Sequence, residues 1–198
     1  MSNKPRLVCE SDIAVRCAAR LEPRQSVAVE QSVTQRQRSN ITLRPHRVGD
    51  IGWVIHRHGV IYSQQYGWDF TFEALIARVA ADFIDQFDGA RDCCWIAEHD
   101  DTILGAAFVV KTDQEDTAKL RLVYVEPTAQ GQGIGRQLVE RCMMFARDAG
   151  YVRMALWTND VLLPARALYR KLGFTMTDAK PYHGFGRELV GETWERTL

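Results

Sequence analysis

Residues 120–136 read LRLVYVEPTAQGQGIGR and join an extended apolar segment to a turn rich in glycine. The turn permits positive φ angles and close approach of the backbone to a ligand, because glycines stand at 131, 133 and 135. Helical periodicity then runs from Gly135 to Gly150, which predicts an amphipathic helix. The first N–H groups of a helix have no partner within it and lie at its positive dipole end. The segment therefore predicts a strand, a turn and a helix whose N-terminus binds an anion. Phosphate or pyrophosphate is the expected ligand.

The spacing of the glycines separates this turn from two common nucleotide-binding loops. The order G-x-G-x-G differs from the dinucleotide pattern G-x-G-x-x-G, and Arg136 and Gln137 stand where a P-loop has Gly and Lys. Nicotinamide cofactors and P-loop nucleotides are therefore disfavoured. At this point the alternative is a glycine-rich turn that only connects the strand to the helix.

Two periodicities organise the rest of residues 41–198. Alternation of apolar and polar residues predicts strands at residues 41–44, 95–98, 103–111, 119–125, 154–157, 174–177 and 189–194. Helical spacing predicts helices at residues 50–66, 70–87, 135–150 and 165–172. In the fourth strand Leu120, Leu122 and Tyr124 are expected on one face. A loop rich in Pro and Gly is predicted at residues 181–186, so that the element order is βααβββαβαββ.

The composition of the 198-residue chain is that of one ordinary globular domain, with 46% hydrophobic residues and 25 basic side chains balancing 25 acidic ones. Its apolar runs are far shorter than the roughly 20 residues of a membrane helix, and its start lacks the apolar segment of a secretory signal. The five cysteines include no C-x-x-C pair, which supports neither a zinc site nor a disulfide framework. We therefore expect a cytoplasmic protein with no metal and no membrane partner.

The balanced net charge divides unevenly along the chain. Residues 1–47 hold nine basic and four acidic side chains, a net charge of +5 that leaves −5 for the remainder. Basic arms can bind nucleic acid, but these charges are scattered without interleaved aromatic residues, so a solvated helical face is favoured and nucleic acid is disfavoured. Helical spacing at residues 11–38 predicts two short helical pieces. The chain therefore divides into a helical N-terminal extension or linker, residues 1–40, and a compact domain, residues 41–198.

Two motifs of the compact domain resemble those of the GNAT superfamily of acyl-CoA-dependent N-acetyltransferases. Gln130, Gly133 and Gly135 match motif A, Gln/Arg-x-x-Gly-x-Gly/Ala, after a strand that ends Val-x-Pro. Residues 165–174, ARALYRKLGF, are similar to motif B, A-x-x-L-Y-x-x-x-G-F. The resemblance implies an α/β (α+β) GNAT fold over residues 41–198. That fold has a mixed central β-sheet of about six to seven strands flanked by about four helices.

Several short stretches resemble, more narrowly, the acetyltransferase half of proteins that fuse a MarR-type DNA-binding domain to a GNAT domain. They are His58-Gly59, residues 66–69, residues 156–161, Phe185-Gly186 and Trp194-Glu195. Residues 1–40 are too short for a complete winged helix. Our hypothesis is that they are a remnant of its final helix.

The resemblance implies transfer of an acetyl group from acetyl-CoA, as co-substrate, to a primary amine of a small molecule or peptide. The amine would attack directly in a ternary complex. An N–H near Val125 would polarise the thioester carbonyl, and Tyr169 would protonate the departing thiolate. The pantetheine arm would pair with the strand formed by Val123, Tyr124 and Val125. The CoA pyrophosphate would bind N–H groups of Gln130, Gly131, Gln132, Gly133, Ile134, Gly135 and Arg136, the last with its side chain as a further contact.

Two positions depart from the family pattern. Leu162 stands where the family often has an Asn seven residues before the motif B tyrosine, and Asn159 is the nearest amide that could contact the cofactor. The strand before the turn carries no acid that could serve as general base. The remaining candidates are Glu126, Glu98, His99, Glu73 or a water relay. The departures leave open a non-catalytic acyl-CoA-binding sensor or partner module, and a homodimer is also left open. The amine is expected among the aromatic residues of segments 56–69 and 178–186.

Overall fold

The computed structural model describes residues 41–198. Three predictions, the helical pieces at residues 11–38, the extension over residues 1–40 and its origin in a winged helix, lie outside the described residues. The described elements follow the predicted order. They are β1 (Thr42–Pro45), α1 (Asp50–Tyr66), α2 (Phe70–Asp85), β2 (Cys93–His99), β3 (Thr102–Val110), β4 (Thr117–Val125), a short 3₁₀ turn (Pro127–Ala129), α3 (Ile134–Asp148), β5 (Arg153–Asn159), α4 (Leu163–Lys171), β6 (Thr175–Gly184) and β7 (Arg187–Thr197).

The strands form one mixed seven-stranded sheet in the order β1-β2-β3-β4-β5-β7-β6. All neighbours are antiparallel except β4 and β5, which are parallel and are connected through α3. A parallel pair needs such a crossover because its second strand must start at the same end as the first. The predicted α/β (α+β) architecture of six to seven strands and four helices is confirmed for residues 41–198.

Both faces of the sheet are covered by apolar side chains. One cluster joins the sheet to α3 and includes Leu120, Leu138 and Val139, each at most 2% exposed. A second cluster joins the other face to α1 and α2 and includes Val54 and Phe108, both fully buried. The sheet is therefore the middle layer of three, with α3 on one face and α1 and α2 on the other.

Strand β4 contains a β-bulge that changes which side chains share a face. The register with β3 moves from Phe108 opposite Arg121 to Ala106 opposite Tyr124, and Leu122 has a positive φ of 49°. As a result Tyr124 contacts α1, with its ring 5.1 Å from that of His58, while Leu120 packs against α3. The prediction that Leu120 and Tyr124 lie on one face is wrong, because one extra residue in a strand reverses the alternation beyond it.

The loop predicted at residues 181–186 is also wrong, because most of it is strand. β6 continues to Gly184 and returns into β7 through a two-residue turn, Phe185-Gly186, with φ angles of 56° and 75°. Two successive positive φ angles are typical of the tight turn that suits a twisted hairpin. Pro181 is tolerated within β6 because this strand lies at the edge of the sheet, paired on one side only.

Candidate active site

Strands β4 and β5 separate partway along their length. Their parallel pairing runs from Thr117 opposite Arg153 to Leu120 opposite Leu156 and goes no further. The bulge follows directly, so the backbone of residues 123–125 has no strand neighbour on the β5 side. The sheet therefore has a V-shaped gap in its middle, lined by main-chain hydrogen-bonding groups.

The backbone of Val125 faces this gap. The next residue, Glu126, donates its N–H to the Leu104 carbonyl oxygen of β3 at 2.8 Å. Because N–H groups of successive strand residues point to opposite edges, the Val125 N–H points away from β3. The Val125 carbonyl oxygen accepts a hydrogen bond from the Gln130 side-chain amide at 3.1 Å. This contact folds the glycine-rich turn back onto the end of β4.

The N-terminus of α3 opens onto the same gap. Gly131 and Gly133 have φ angles of 77° and 83°, and a Cβ atom at either position would meet nothing within 4 Å. The helix makes its first hydrogen bond from Gln137 N–H to the Gly133 carbonyl oxygen at 3.1 Å. The N–H groups before Gln137 are therefore free of intrahelical partners, as an anion site at this helix N-terminus requires. The Arg136 guanidinium instead pairs with Glu140 at 2.7 Å.

A first cavity of about 450 Å³ occupies the gap and the space in front of α3. Every predicted site residue except Gln132 and Asn159 lines it. The predicted residues brought together there are Val123, Tyr124, Val125, Gln130, Gly131, Gly133, Ile134, Gly135, Arg136 and Tyr169. Residues from β4, the turn, α3 and α4 thus meet at one concave surface.

A second cavity of about 360 Å³ lies on the other side of the opening. It shares Tyr62, Val123, Leu162, Ala165 and Tyr169 with the first cavity. Asn159 belongs to this second cavity, where it is 2% exposed and its Oδ1 accepts a hydrogen bond from the Tyr182 hydroxyl at 2.7 Å. Its predicted contact with a cofactor is therefore not favoured by its position.

Tyr169 stands where the two cavities meet. Its ring is 6% exposed and packs against Phe174, with 5.9 Å between centroids. Its hydroxyl has no hydrogen-bond partner within residues 41–198 and is not sealed from the cavities. Burial raises the pKa of Tyr169 well above its ordinary value, with a smaller contribution from Cys142. The phenol is therefore protonated at neutral pH and available as a proton donor.

None of the four side chains considered as general base lines either cavity. Glu126 is held by Arg57 through two contacts of 2.6 and 2.8 Å. Glu98 is held by Arg44 at 2.6 Å and lies in β2, which β3 separates from β4. Glu73 and His99 are absent from both cavity walls, and so is every other Asp and Glu of residues 41–198. The structure therefore offers no carboxylate at the site.

Three residues with basic side chains line the second cavity: His58, within the predicted acceptor segment 56–69, and Lys119 and Arg121, which sequence reasoning missed. His58 lies on α1, is 2% exposed, and has its Nδ1 2.8 Å from the Val54 carbonyl oxygen. Lys119 and Arg121 both belong to β4. They are two positions apart in the predicted strand, which places both side chains on one face of the sheet. This spacing is the sequence feature that could have identified them.

The buried imidazole of His58 makes the free energy of unfolding depend on pH. Burial lowers the pKa of His58 from 6.5 to about 4, so the folded state favours the neutral ring. As the pH falls below 6.5 the unfolded chain takes up this proton first, and stability is lost until about pH 4. We expect this group to remove about 2 kcal/mol between about pH 7.5 and about pH 5. Urea unfolding at both pH values measures the loss.

Two variants isolate this contribution. His58→Gln should lack it, whereas His56→Gln, which changes an exposed histidine of the same helix, should keep the full wild-type loss. Equal pH dependence in wild type and His58→Gln would show that the buried ring does not titrate as inferred.

Sequence and structure comparisons agree on one family. The structure combines a gap between parallel strands, a helix N-terminus beside it and two adjoining cavities. The acetyltransferase (GNAT) family model matches residues 60–174, more than half of the chain. The chain therefore belongs to the GNAT acetyltransferase family, and the seven-stranded sheet with four helices is the GNAT fold.

Among curated relatives, N-acetyltransferase 8B of Homo sapiens is 33% identical over 99 residues, which cover 48% of this chain and 44% of that protein. An uncharacterized N-acetyltransferase of Schizosaccharomyces pombe is 31% identical over 124 residues, 62% of this chain and 74% of that protein. The chain spans about half the length of the first curated relatives it matches.

Solved structures give the same fold. The Salmonella typhimurium protein yncA, named as an acetyltransferase and solved with its cofactor acetyl-CoA, superposes with a TM-score of 0.63 at 25% identity, over 80% of this chain and 94% of that one. The ribosomal-protein-alanine N-acetyltransferase of Brucella melitensis has a TM-score of 0.64 at 20% identity, over 79% and 99% of the two chains. At that identity the likeness shows the fold alone.

The described residues, 41–198, contain four α-helices. None of their helices has both the length and the hydropathy needed to cross a bilayer. Over residues 41–198, His, Cys, Asp and Glu side chains form no group of three that could hold a metal ion.

Proposed function

We propose that this chain transfers the acetyl group of acetyl-CoA to a primary amine by direct attack in a ternary complex. The observation that carries the proposal is the meeting of two cavities at Tyr169, beside the gap that the Val125 N–H faces. Two ligands could occupy adjoining cavities at the same time. Holding both reactants in contact converts a bimolecular reaction into an effectively unimolecular one.

The first cavity fits a CoA thioester. The free N–H groups at the start of α3 would bind the pyrophosphate, and the open space at Gly131 and Gly133 leaves room for it. The unpaired backbone of residues 123–125 would hydrogen-bond the pantetheine arm as a neighbouring strand does. Acetyl-CoA supplies the activated acetyl group, and the Val125 N–H would bind its carbonyl oxygen.

The amine would enter from the second cavity and attack without an enzyme nucleophile. Cys93, Cys94 and Cys142 are absent from both cavity walls, and Cys94 and Cys142 are buried. The new C–N bond forms as the C–S bond breaks, and the thiolate takes the proton of Tyr169. The proton lost by the amine nitrogen returns the tyrosine to its neutral form through solvent.

Two measurements test the proposal. Calorimetric titration with acetyl-CoA should show binding, and release of free CoA should depend on added amine. Failure of the wild-type chain to bind acetyl-CoA would end the proposal.

A glycine substitution tests the anion site with a matched control. Gly133 precedes α3 and Gly150 follows it, with φ angles of 83° and 84°. Gly133→Ala and Gly150→Ala each place a Cβ in open space at a positive φ. Each should lower the free energy of unfolding by about 1–2 kcal/mol. Only Gly133→Ala should weaken acetyl-CoA binding, by about tenfold, because relaxing its φ turns the N–H groups away from the phosphates. Equal dissociation constants for the two variants would contradict the assignment.

A non-catalytic acyl-CoA-binding module is the second candidate. The observation that favours it is the lack of any carboxylate among the residues that line the two cavities in the described part of the chain. This candidate predicts acetyl-CoA binding with no amine-dependent release of CoA. The similarity to MarR–GNAT fusions, the homodimer and the cytoplasmic location stay predictions.

A further inference from the structure

The second cavity carries two cationic side chains and no acidic one. Lys119 and Arg121 both line it, and its wall includes no Asp or Glu. Both side chains are half-buried, and neither forms a hydrogen bond or an ion pair with any residue of the described part of the chain. Buried or half-buried charges are ordinarily paired, since removing an ion from water without a partner is costly.

The positions of these cations follow from the strand that carries them. Lys119 and Arg121 are two residues apart in β4 and therefore share the face that turns toward α2. Asp82 of α2 acts on Arg121 at a distance without forming an ion pair. Burial nevertheless lowers the pKa of Arg121, and burial together with Arg121 lowers the pKa of Lys119. The two positive charges are thus incompletely compensated by the protein.

These cations are separate from the predicted binding site of the CoA phosphates. Neither Lys119 nor Arg121 lines the first cavity, whereas the free N–H groups of α3 do. An anion that Lys119 and Arg121 bind must therefore belong to the molecule in the second cavity.

Apart from His58, Thr158 and Asn159, the rest of the second cavity is apolar and aromatic. His58 lies in its wall, and burial lowers the pKa of His58 to about 4, so the ring is neutral at pH 7. The other side chains that would contact a ligand body include Tyr62, Trp68, Phe72, Leu75, Ile76 and Trp157. A volume of about 360 Å³ is near the small end of the range for small-molecule sites.

We propose that the acceptor is a small carboxylated amine with an apolar or aromatic body, of the amino-acid type, whose carboxylate binds Lys119 and Arg121. This inference rests on the proposed acetyl transfer and names the acceptor class for the same site. A carboxylate held by two cations forms charge-assisted hydrogen bonds, which are among the strongest in proteins. The amine would then lie toward Tyr169, at the opening between the cavities.

The same two charges also act on the amine. A protonated amine in this cavity would be repelled by Lys119 and Arg121, so the neutral, nucleophilic form is favoured. The proton that the amine loses passes to solvent, because no carboxylate of residues 41–198 lines either cavity.

Matched pairs of acceptors test the carboxylate. L-phenylalanine, L-tryptophan, L-leucine and L-methionine are each compared with their carboxamides, and spermidine serves as a cationic amine without a carboxylate. We expect kcat/KM for CoA release to be at least about tenfold higher for the best acid than for its amide. The amide has the same body and its amine loses its proton more readily, so only the carboxylate can produce that order.

Charge-removing variants locate the effect. Lys119→Gln and Arg121→Gln should each reduce the acid-to-amide ratio of kcat/KM by about tenfold, and Arg121→Lys should recover part of it. Arg78→Gln is the matched control, because it removes an exposed cation of α2 outside both cavities, and its ratio should stay within about twofold of wild type. Acetyl-CoA titration of each variant verifies that it is folded.

The outcomes separate the two proposals. The acceptor assignment is overturned if the amides or spermidine are acetylated as efficiently as the acids. It is also overturned if the chain binds acetyl-CoA but acetylates no member of the panel. A chain that does not bind acetyl-CoA at all would instead overturn the proposed function.

Discussion

Replacing Tyr169 by phenylalanine should lower kcat for acetyl transfer by about 10²- to 10⁴-fold, the usual contribution of a positioned general acid. The hydroxyl lies where the two cavities meet, and burial raises the pKa of Tyr169, so the phenol is protonated at neutral pH. Because the phenyl ring keeps its contact with Phe174 and no hydrogen bond within residues 41–198 is lost, the fold should be retained. CoA release with saturating acetyl-CoA and the best amine measures kcat.

Tyr151→Phe is the control for this variant. Tyr151 is also buried, but its hydroxyl donates to the Arg91 carbonyl oxygen at 3.1 Å and it lines neither cavity. Its loss should cost about 1 kcal/mol of stability and leave kcat within about twofold. A kcat for Tyr169→Phe within about threefold of wild type would show that another group protonates the thiolate.

Truncating Phe108 to alanine should lower the free energy of unfolding by about 3–5 kcal/mol. Phe108 is fully buried in β3, and its ring packs edge-on against Phe83 of α2 with 4.9 Å between centroids. Removing it leaves a cavity between the sheet and α2 in addition to the lost burial of the ring. Urea unfolding followed by circular dichroism measures the difference.

Phe70→Ala provides the comparison for Phe108. Phe70 begins α2 but is 80% exposed, so its truncation should change the free energy of unfolding by less than about 0.5 kcal/mol. Losses of similar size in the two variants would contradict the description of the core.

The helix ends and the motif-bearing turn were predictable because their signals are local. Asp69 immediately precedes α2, and its carboxylate accepts a hydrogen bond from the Thr71 N–H at 2.9 Å, as an N-cap residue does. Likewise the glycines around Gly133 and the periodicity after Gly135 predicted the start of α3 within one residue. Such features depend on the conformations open to a few neighbouring residues, so they can be recognised without knowing what packs against them.

The face of β4 and the path of β6 were not predictable in this way. β4 bulges at Leu122, where its register with β3 shifts and φ is positive, and no local sequence pattern marks this position. In β6, Pro and Gly indicated a loop, yet pairing with β7 keeps residues up to Gly184 extended. Strand pairing is a contact between distant segments, and it overrides local preference when a partner edge is available.

The sequence by itself determined the family, the order of elements and the glycine-rich turn before α3, because two spaced motifs and the hydrophobic periodicity carry that information locally. Only the tertiary structure decided where β4 and β5 separate, that Asn159 lies in the second cavity, and that Lys119 and Arg121 form its cationic wall. Those facts depend on side chains from distant strands and helices meeting across the sheet. Their positions are set by packing and register, which no single segment of the chain specifies.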